Sequence, residues 1–228
     1  MLKGIIFDMD GTLTMTNEFH CMSYNKLFQE FDRNITFEEY YREFIGKGAI
    51  AIIKEKLAGI EYDMNECLRK KVLYFWDLIE NEKEVPLVEG IVDFIEYCNQ
   101  QGYQMTVASG ASLESMNRVL KRTGLDQYFK QWFSGHDTKA NKPAPYVYVK
   151  ALNFLKLSAD QTIAFEDSIA GIKSAKSAGI KCVALKTSTM EEKIIEEGVS
   201  ALISNYEELL ERLNKNQNYL KNILINQS

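Results

Sequence analysis

Apolar residues follow two rhythms along this chain. Short unbroken runs, each closed by a glycine or a polar pair, alternate with longer stretches in which apolar positions recur every three or four residues. The first pattern belongs to buried strands and the second to helices that pack by one face. The run from Ile5 to Phe7 stops abruptly in Asp8-Met9-Asp10-Gly11-Thr12. Further short runs over 104–109, 128–134, 162–165, 181–185 and 201–203 predict more strands. Helical spacing occupies 88–101, 113–122, 146–155, 168–178, 190–197 and the chain from 206 onward. Gly102, Gly124 and Gly179 follow three of these helices, where the chain needs a left-handed turn to stop. Strands alternating with helices predict an α/β fold with a doubly wound, mostly parallel sheet and a Rossmann-like core.

Residues 16–84 interrupt this alternation with helices alone. Phe19, Met22, Leu27, Phe28 and Phe31 fall on one helical face. Thr36-Phe37-Glu38-Glu39 has the spacing of a capping box, and helices are predicted over 48–57 and 64–79. The expected organisation is therefore a core of residues 1–14 and 85–228 with an inserted all-helical cap of residues 15–84. The insertion leaves just beyond Asp10 and returns near Pro86, so it should lie over the carboxyl edge of the sheet as a lid. No internal repeat, low-complexity tract or flexible linker is present.

Composition narrows the function classes. The 27 basic and 32 acidic residues leave a formal charge of −5. With no basic surplus to meet a phosphate backbone, a nucleic-acid partner is not expected. No stretch has the long charge-free apolar run of a spanning helix, so no membrane partner is expected. The first strand begins at once, leaving no room for a signal peptide ahead of it. Cys21, Cys67, Cys98 and Cys182 are far apart and form no Cys-x-x-Cys. They read as free thiols of a reducing, cytoplasmic compartment.

The candidate chemistry sits where predicted strands end. Asp8 and Asp10, Ser109, and Glu166 with Asp167 each close a strand. A doubly wound sheet brings such ends together along one edge. Carboxylates gathered there repel one another, and a hard divalent cation resolves that repulsion. Mg²⁺ favours carboxylate and carbonyl oxygens together with waters and a substrate phosphate. Lys142 stands at the approach to a helix start, where anions are also favoured. Carboxylates, one metal, one lysine and one hydroxyl suit phosphoryl transfer.

Asp8-Met9-Asp10-Gly11-Thr12, Ser109, Lys142-Pro143 and Glu166-Asp167 stand in the order and spacing of the haloacid dehalogenase-like superfamily, which the chain resembles over nearly its whole length. Lys142-Pro143-Ala144-Pro145 and the segment from Phe165 to Ile172 look like the subgroup that contains β-phosphoglucomutase and many small-molecule phosphatases. The resemblance implies that Asp8 is a nucleophile that becomes an aspartyl-phosphate. Asp10 is then the general acid and base. Ser109 and Lys142 hold the phosphoryl oxygens. The implied Mg²⁺ ligands are Asp8, the backbone carbonyl of Asp10, and Asp167, with Glu166 either touching the metal or standing behind it. The superfamily's dehalogenases lack this acidic metal pair, which argues against dehalogenation. Two positions depart from the pattern: Gly110 follows Ser109 where asparagine is common, and Asn141 precedes Lys142 where glycine is common.

Weaker signals complete the reading. Thr16 and His20 near the start of the cap, Lys47 in its loop and Gly110 are candidate substrate-binding residues. Gly46-Lys47-Gly48-Ala49-Ile50-Ala51 fits a loose dinucleotide fingerprint, but helix rather than strand is predicted before it, so that reading is rejected. The same loop lacks the arginine that the mutases carry shortly after this glycine, which weakens the isomerase reading. Lys71, inside Arg69-Lys70-Lys71, reads more simply as part of a solvated face than as a cleft residue. His136 and Asp137 are expected at the rim of the site. The expected activity is Mg²⁺-dependent hydrolysis of a small phosphorylated metabolite, a sugar or sugar-like phosphate, by a monomer or weak homodimer. Two rivals are a β-phosphoglucomutase-type isomerase and, from another class, a catalytically idle binding protein.

Overall fold

The sheet follows from the alternation. The computed structural model describes residues 1–188 and 191–225. Six parallel strands lie in the order β3-β2-β1-β4-β5-β6: β1 is Gly4–Phe7, β2 Gln104–Ser109, β3 Trp132–Ser134, β4 Thr162–Glu166, β5 Lys181–Leu185 and β6 Ala201–Ile203. The chain builds outward from β1 through β2 to β3, then crosses back to β4 on the other side, so β1 lies at the switch point. Helices cover both faces, as parallel sheets require. Side-chain alternation divides the core: Ile5, Phe7, Val107 and Phe165 face one layer, Ile6, Ala108 and Ala164 the other.

The helices of the core are α5 (Ile91–Gln100), α6 (Leu113–Arg122), α7 (Tyr146–Leu155), α8 (Ile169–Ser177), α9 (Glu191–Glu196), α10 (Tyr206–Lys215) and α11 (Tyr219–Ile225). Between β1 and α5 runs the inserted helical segment, with α1 (Asn17–Gln29), the short α2 (Phe37–Glu39), α3 (Ala49–Lys56) and α4 (Met64–Asn81). It has a hydrophobic cluster of its own, which includes Tyr24, Phe28, Phe44, Ile53 and Cys67. Thr36 caps α2 as expected, its hydroxyl accepting from the Glu39 N–H at 3.1 Å, but the chain then widens into a π turn over Tyr40–Phe44.

Several boundaries differ from expectation for local reasons. The strand expected over 128–134 is confined to Trp132–Ser134, and Leu125–Tyr128 form a 3₁₀ turn. This edge strand pairs only with β2, and only over Val107 to Ser109, so no further residue finds a partner. Helix α5 begins at Ile91 rather than 88 because the preceding backbone is engaged elsewhere: Met15 N–H donates to Pro86 O at 2.8 Å and Val88 N–H to Leu13 O at 3.0 Å. The single C-terminal helix expected from 206 is two, parted where the Asn216 side chain accepts from the Asn218 N–H at 3.0 Å, an Asx turn. The expected start of α9 at Met190 lies outside the described residues. Among those residues no helix is long and apolar enough to cross a membrane, and all four cysteines are buried free thiols. The segment before Gly46 is helical, as the rejection of a dinucleotide fingerprint required.

Candidate active site

Register decides what meets at the sheet edge. Phe7 pairs with Val107 on one side and Phe165 on the other. One step beyond them stand Asp8 and Glu166, and one further step brings Ser109 and Asp167. Asp8 keeps the ladder, donating its N–H to Phe165 O at 2.9 Å. Gly11 then turns the chain with φ at +79°. A Cβ there would overlap the Asp167 carboxyl and the Ser188 hydroxyl, so the turn needs glycine for space as well as for φ.

Asp8, Glu166 and Asp167 offer oxygens within 4.8 Å of one another. One cation serves them: Lys142 Nζ lies 2.6 Å from Asp8 Oδ1 and 2.5 Å from Glu166 Oε1, and donates to Ala108 O at 2.9 Å. The Lys142-Pro143 peptide is cis. Glu166 is wholly buried and committed to the protein. Its Oε1 also accepts from the Tyr148 hydroxyl at 2.7 Å, and its Oε2 from the Asp167 N–H at 3.3 Å. It thus holds the lysine from behind. Burial raises the Lys142 site's cost of charge, but Asp8 and Glu166 more than offset it and its pKa rises. Three carboxylates against one ammonium leave the cluster short of positive charge. Burial pushes Asp8 well above the usual carboxylate range, Lys142 opposing and Glu166 and Asp167 adding to the shift. Asp167 is pushed up to about 7 by burial and then by Glu166. Buried, oxygen-only and anion-rich, this donor set fits a hard divalent cation.

Asp10 belongs to a different network. Its carboxylate is turned from that cluster toward the helical segment, accepting from the Thr16 hydroxyl at 2.5 Å, with His20 Nε2 at 3.3 Å. Behind His20, Lys71 Nζ stands 2.7 Å from Nδ1. One assignment satisfies all three groups: the ammonium donates to Nδ1, and Nε2 carries the proton that faces Asp10. The imidazole stacks on Phe75 at 4.1 Å, 3° from parallel. Lys71 Nζ sits over the Tyr24 and Phe75 rings at 4.8 and 5.1 Å. Burial lowers the His20 pKa, with Lys71 adding, which keeps the ring neutral. Burial alone would raise Asp10, but His20 and Thr16 outweigh it, so its carboxylate is held ionised.

Lys71 is pushed down to about 8 by burial. The rate is therefore expected to fall above about pH 8 as Lys71 loses its proton and its grip on His20. In Lys71→Met this alkaline limb should vanish from the pH profile of kcat; an unchanged limb would exclude Lys71 as its origin. Unfolding would not mimic the effect. A lysine whose folded pKa lies below its unfolded value makes the fold more stable as pH rises from about 8 to about 10.5.

Asp8, Asp10, Ser109, Gly110, Lys142, Asp167, His20 and Lys47 all line one cavity of 730 Å³ between the strand ends and the helical segment. Thr16 and Glu166 do not line it; they act on Asp10 and Lys142 from behind its wall. Lys47 is at the rim, paired with Glu55 at 3.0 Å. His136 lines the cavity and Asp137 does not. Lys71 is a correction: it is buried, not on a solvated face. Its spacing with Cys67, Phe75 and Leu78 on the inner stripe of α4 was the available signal. Tyr148 and Asn17 carry no sequence expectation, and Asn141 carries one only as a departure from the family pattern. Tyr148 sits on the buried stripe of α7, and Asn17 donates to Asp167 Oδ2 at 3.3 Å.

Comparison with known proteins places the chain in a family. Residues 5–185 match the family model described as haloacid dehalogenase-like hydrolase. The chain is 31% identical to protein CbbY of Cereibacter sphaeroides over 193 residues, 80% of this chain and 84% of that protein. It is 26% identical to the phosphorylated carbohydrates phosphatase of Thermotoga maritima over 231 residues, 98% of this chain and all of that protein (100%). The crystal structure of CbbY from Rhodobacter sphaeroides in complex with xylulose-(1,5)bisphosphate superposes with a TM-score of 0.80 at 27% identity, covering 92% of this chain and 96% of that one.

Proposed function

The chain belongs to the haloacid dehalogenase-like hydrolases, and from that membership we propose that it is a Mg²⁺-dependent phosphatase of a small phosphorylated metabolite, a sugar or sugar-like phosphate. The observation that carries the reading is the separation of two carboxylates that share one cavity. Asp8 stands in the lysine-bearing anionic cluster, and Asp10 stands on the Thr16–His20–Lys71 network. Two carboxylates in unlike surroundings are fitted to unlike roles.

In this reading Asp8 attacks the phosphorus and carries the phosphoryl group as an aspartyl-phosphate. Asp10, when protonated, gives its proton to the leaving alcohol oxygen. The resulting carboxylate, the form its surroundings favour, then takes a proton from the water that hydrolyses the aspartyl-phosphate. Ser109 and Lys142 hold the phosphoryl oxygens. Asp8, Asp167 and the Asp10 backbone carbonyl would hold Mg²⁺, which would supply positive charge against the anionic ester. Glu166 and Tyr148 fix the lysine. The inserted helices act as a cap that encloses the alcohol part of the substrate. The sugar phosphates in the names of CbbY's complex and of the Thermotoga phosphatase support the substrate class.

Water rather than a second sugar hydroxyl is the proposed acceptor. A mutase must grip a distal phosphate while excluding water. Here the cap loop carries no arginine, and Lys47 is already paired with Glu55. Purified protein with Mg²⁺, screened against phosphorylated metabolites, should release free phosphate. With β-glucose 1-phosphate and a trace of the bisphosphate, phosphate is expected with little glucose 6-phosphate. Glucose 6-phosphate forming much faster than phosphate would replace this reading with the isomerase.

A further inference from the structure

Two loops meet beside the cluster, the one after β2 and the long one that runs from β3 to α7, and the Asn141 side chain lies where they join. Its Nδ2 donates to Gly110 O at 2.9 Å, and its Oδ1 accepts from the Lys142 N–H at 2.8 Å. A carbonyl on one side and an N–H on the other fix which amide atom is nitrogen. Its own carbonyl accepts from the Ala144 N–H at 3.0 Å, closing the turn that carries Lys142.

Room for this amide comes from two glycines. A Cβ on Gly135 would overlap Asn141 Oδ1, and one on Gly110 would touch it at 3.4 Å. A Cβ at position 110 would rest in van der Waals contact with the Asn141 amide, so a longer side chain there starts against it. The other ties in the region leave the main chain at 141–142 free of the β2 loop. Ser134 Oγ joins the β3 end to Ala111 O at 2.7 Å, and Lys142 reaches Ala108 O only through its side chain.

We propose that Asn141 is a positioning residue for phosphate: its amide, seated against Gly110 and Gly135, locks the backbone of the Ser109–Gly110 loop to that of Lys142, so that hydroxyl and ammonium form one rigid cradle. The inference rests on the phosphatase reading for what the cradle holds. Ser109 and Lys142 descend from different strand ends, and their common geometry depends on such a tie. Misplacement of oxyanion-holding groups by about 1 Å is enough to lose on the order of a hundredfold in rate.

The test is a two-by-two exchange: wild type, Asn141→Gly, Gly110→Asn and the double variant Gly110→Asn/Asn141→Gly. Two readouts are taken on Mg²⁺-loaded protein, phosphate release and calorimetric binding of inorganic phosphate. Asn141→Gly should lower kcat/KM and weaken phosphate binding by about 10- to 100-fold, with the thermal midpoint nearly unchanged. Gly110→Asn should do likewise by crowding. The double variant should recover well above either single, the coupling that neighbours sharing one space produce. Wild-type phosphate affinity in Asn141→Gly, or losses that merely multiply in the double variant, would overturn the proposal. So would a wild-type protein that binds no phosphate. A wild type that binds phosphate but hydrolyses nothing would instead remove the phosphatase reading, and the binding comparison would still judge Asn141.

Discussion

Asp8→Asn is expected to abolish turnover while leaving the protein folded. The amide keeps an oxygen for the Lys142 ammonium, which stands 2.6 Å from Asp8 Oδ1. What it loses is the anionic oxygen that forms the bond to phosphorus. Removing a reacting nucleophile leaves only binding and electrostatic contributions, so the loss should be on the order of 10⁴-fold or more. Stability should move the other way. Burial and three neighbouring carboxylates penalise the Asp8 charge more than Lys142 repays it. Neutralising that group should leave the thermal midpoint of metal-free protein unchanged or raised. Phosphate release is the first measurement, and mass analysis of acid-quenched protein for a phosphorylated aspartate is the second. Wild-type release from the variant would end the assignment of Asp8 as nucleophile.

Chelation is expected to have the next largest effect. The ionised cluster repels itself, so without the divalent cation the ester's own charge has nothing but Lys142 to meet it. Loss of several kcal/mol of charge stabilisation corresponds to roughly 10³-fold or more in rate. The same cluster makes a prediction about stability whose sign can be worked out. Asp167 titrates at about 7 in the fold against 3.8 when unfolded. A carboxyl with a raised folded pKa contributes stability that is present at low pH and is lost as pH rises through the folded value. Metal-free protein should therefore lose thermal stability between about pH 4 and pH 7, and Mg²⁺ should restore more at pH 8 than at pH 5. Asp167→Asn should flatten the metal-free decline while raising the Mg²⁺ needed for half-maximal rate. Full activity in excess chelator would refute the dependence.

What was legible in the sequence is what parallel strands impose. Apolar runs closed by Asp8, Ser109 and Glu166-Asp167 named the sheet edge, because in-register strands must end together. Lys142 was legible as an anion-binding candidate beside a helix start, but its pairing with Asp8, 134 residues away, had no local signal. The direction of Asp10 was not legible. It depends on the Gly11 turn and on the Thr14 and Leu13 amides returning to Met9 O, which together aim the carboxylate toward α1. Lys71 was misjudged because its neighbours Arg69 and Lys70 are solvent-facing, and charge alone outweighed its place in the helical period. The short β3 and the parted C-terminal helices were missed for a simpler reason. Pairing partners and Asx turns end elements where apolar spacing continues.

The outgoing and returning chains of the inserted segment run side by side. Thr14 and Leu87 form an antiparallel bridge, flanked by Met15 N–H to Pro86 O and Val88 N–H to Leu13 O. To the sheet, everything between them is a hairpin with an oversized tip. The entropy of closing such a tip grows only with the logarithm of its length, so the core is almost indifferent to how much is mounted there. Segments of other sizes and shapes can thus be exchanged on the same neck, by recombination or by hand. Lineages can change what they recognise without rebuilding the strand ends that do the chemistry.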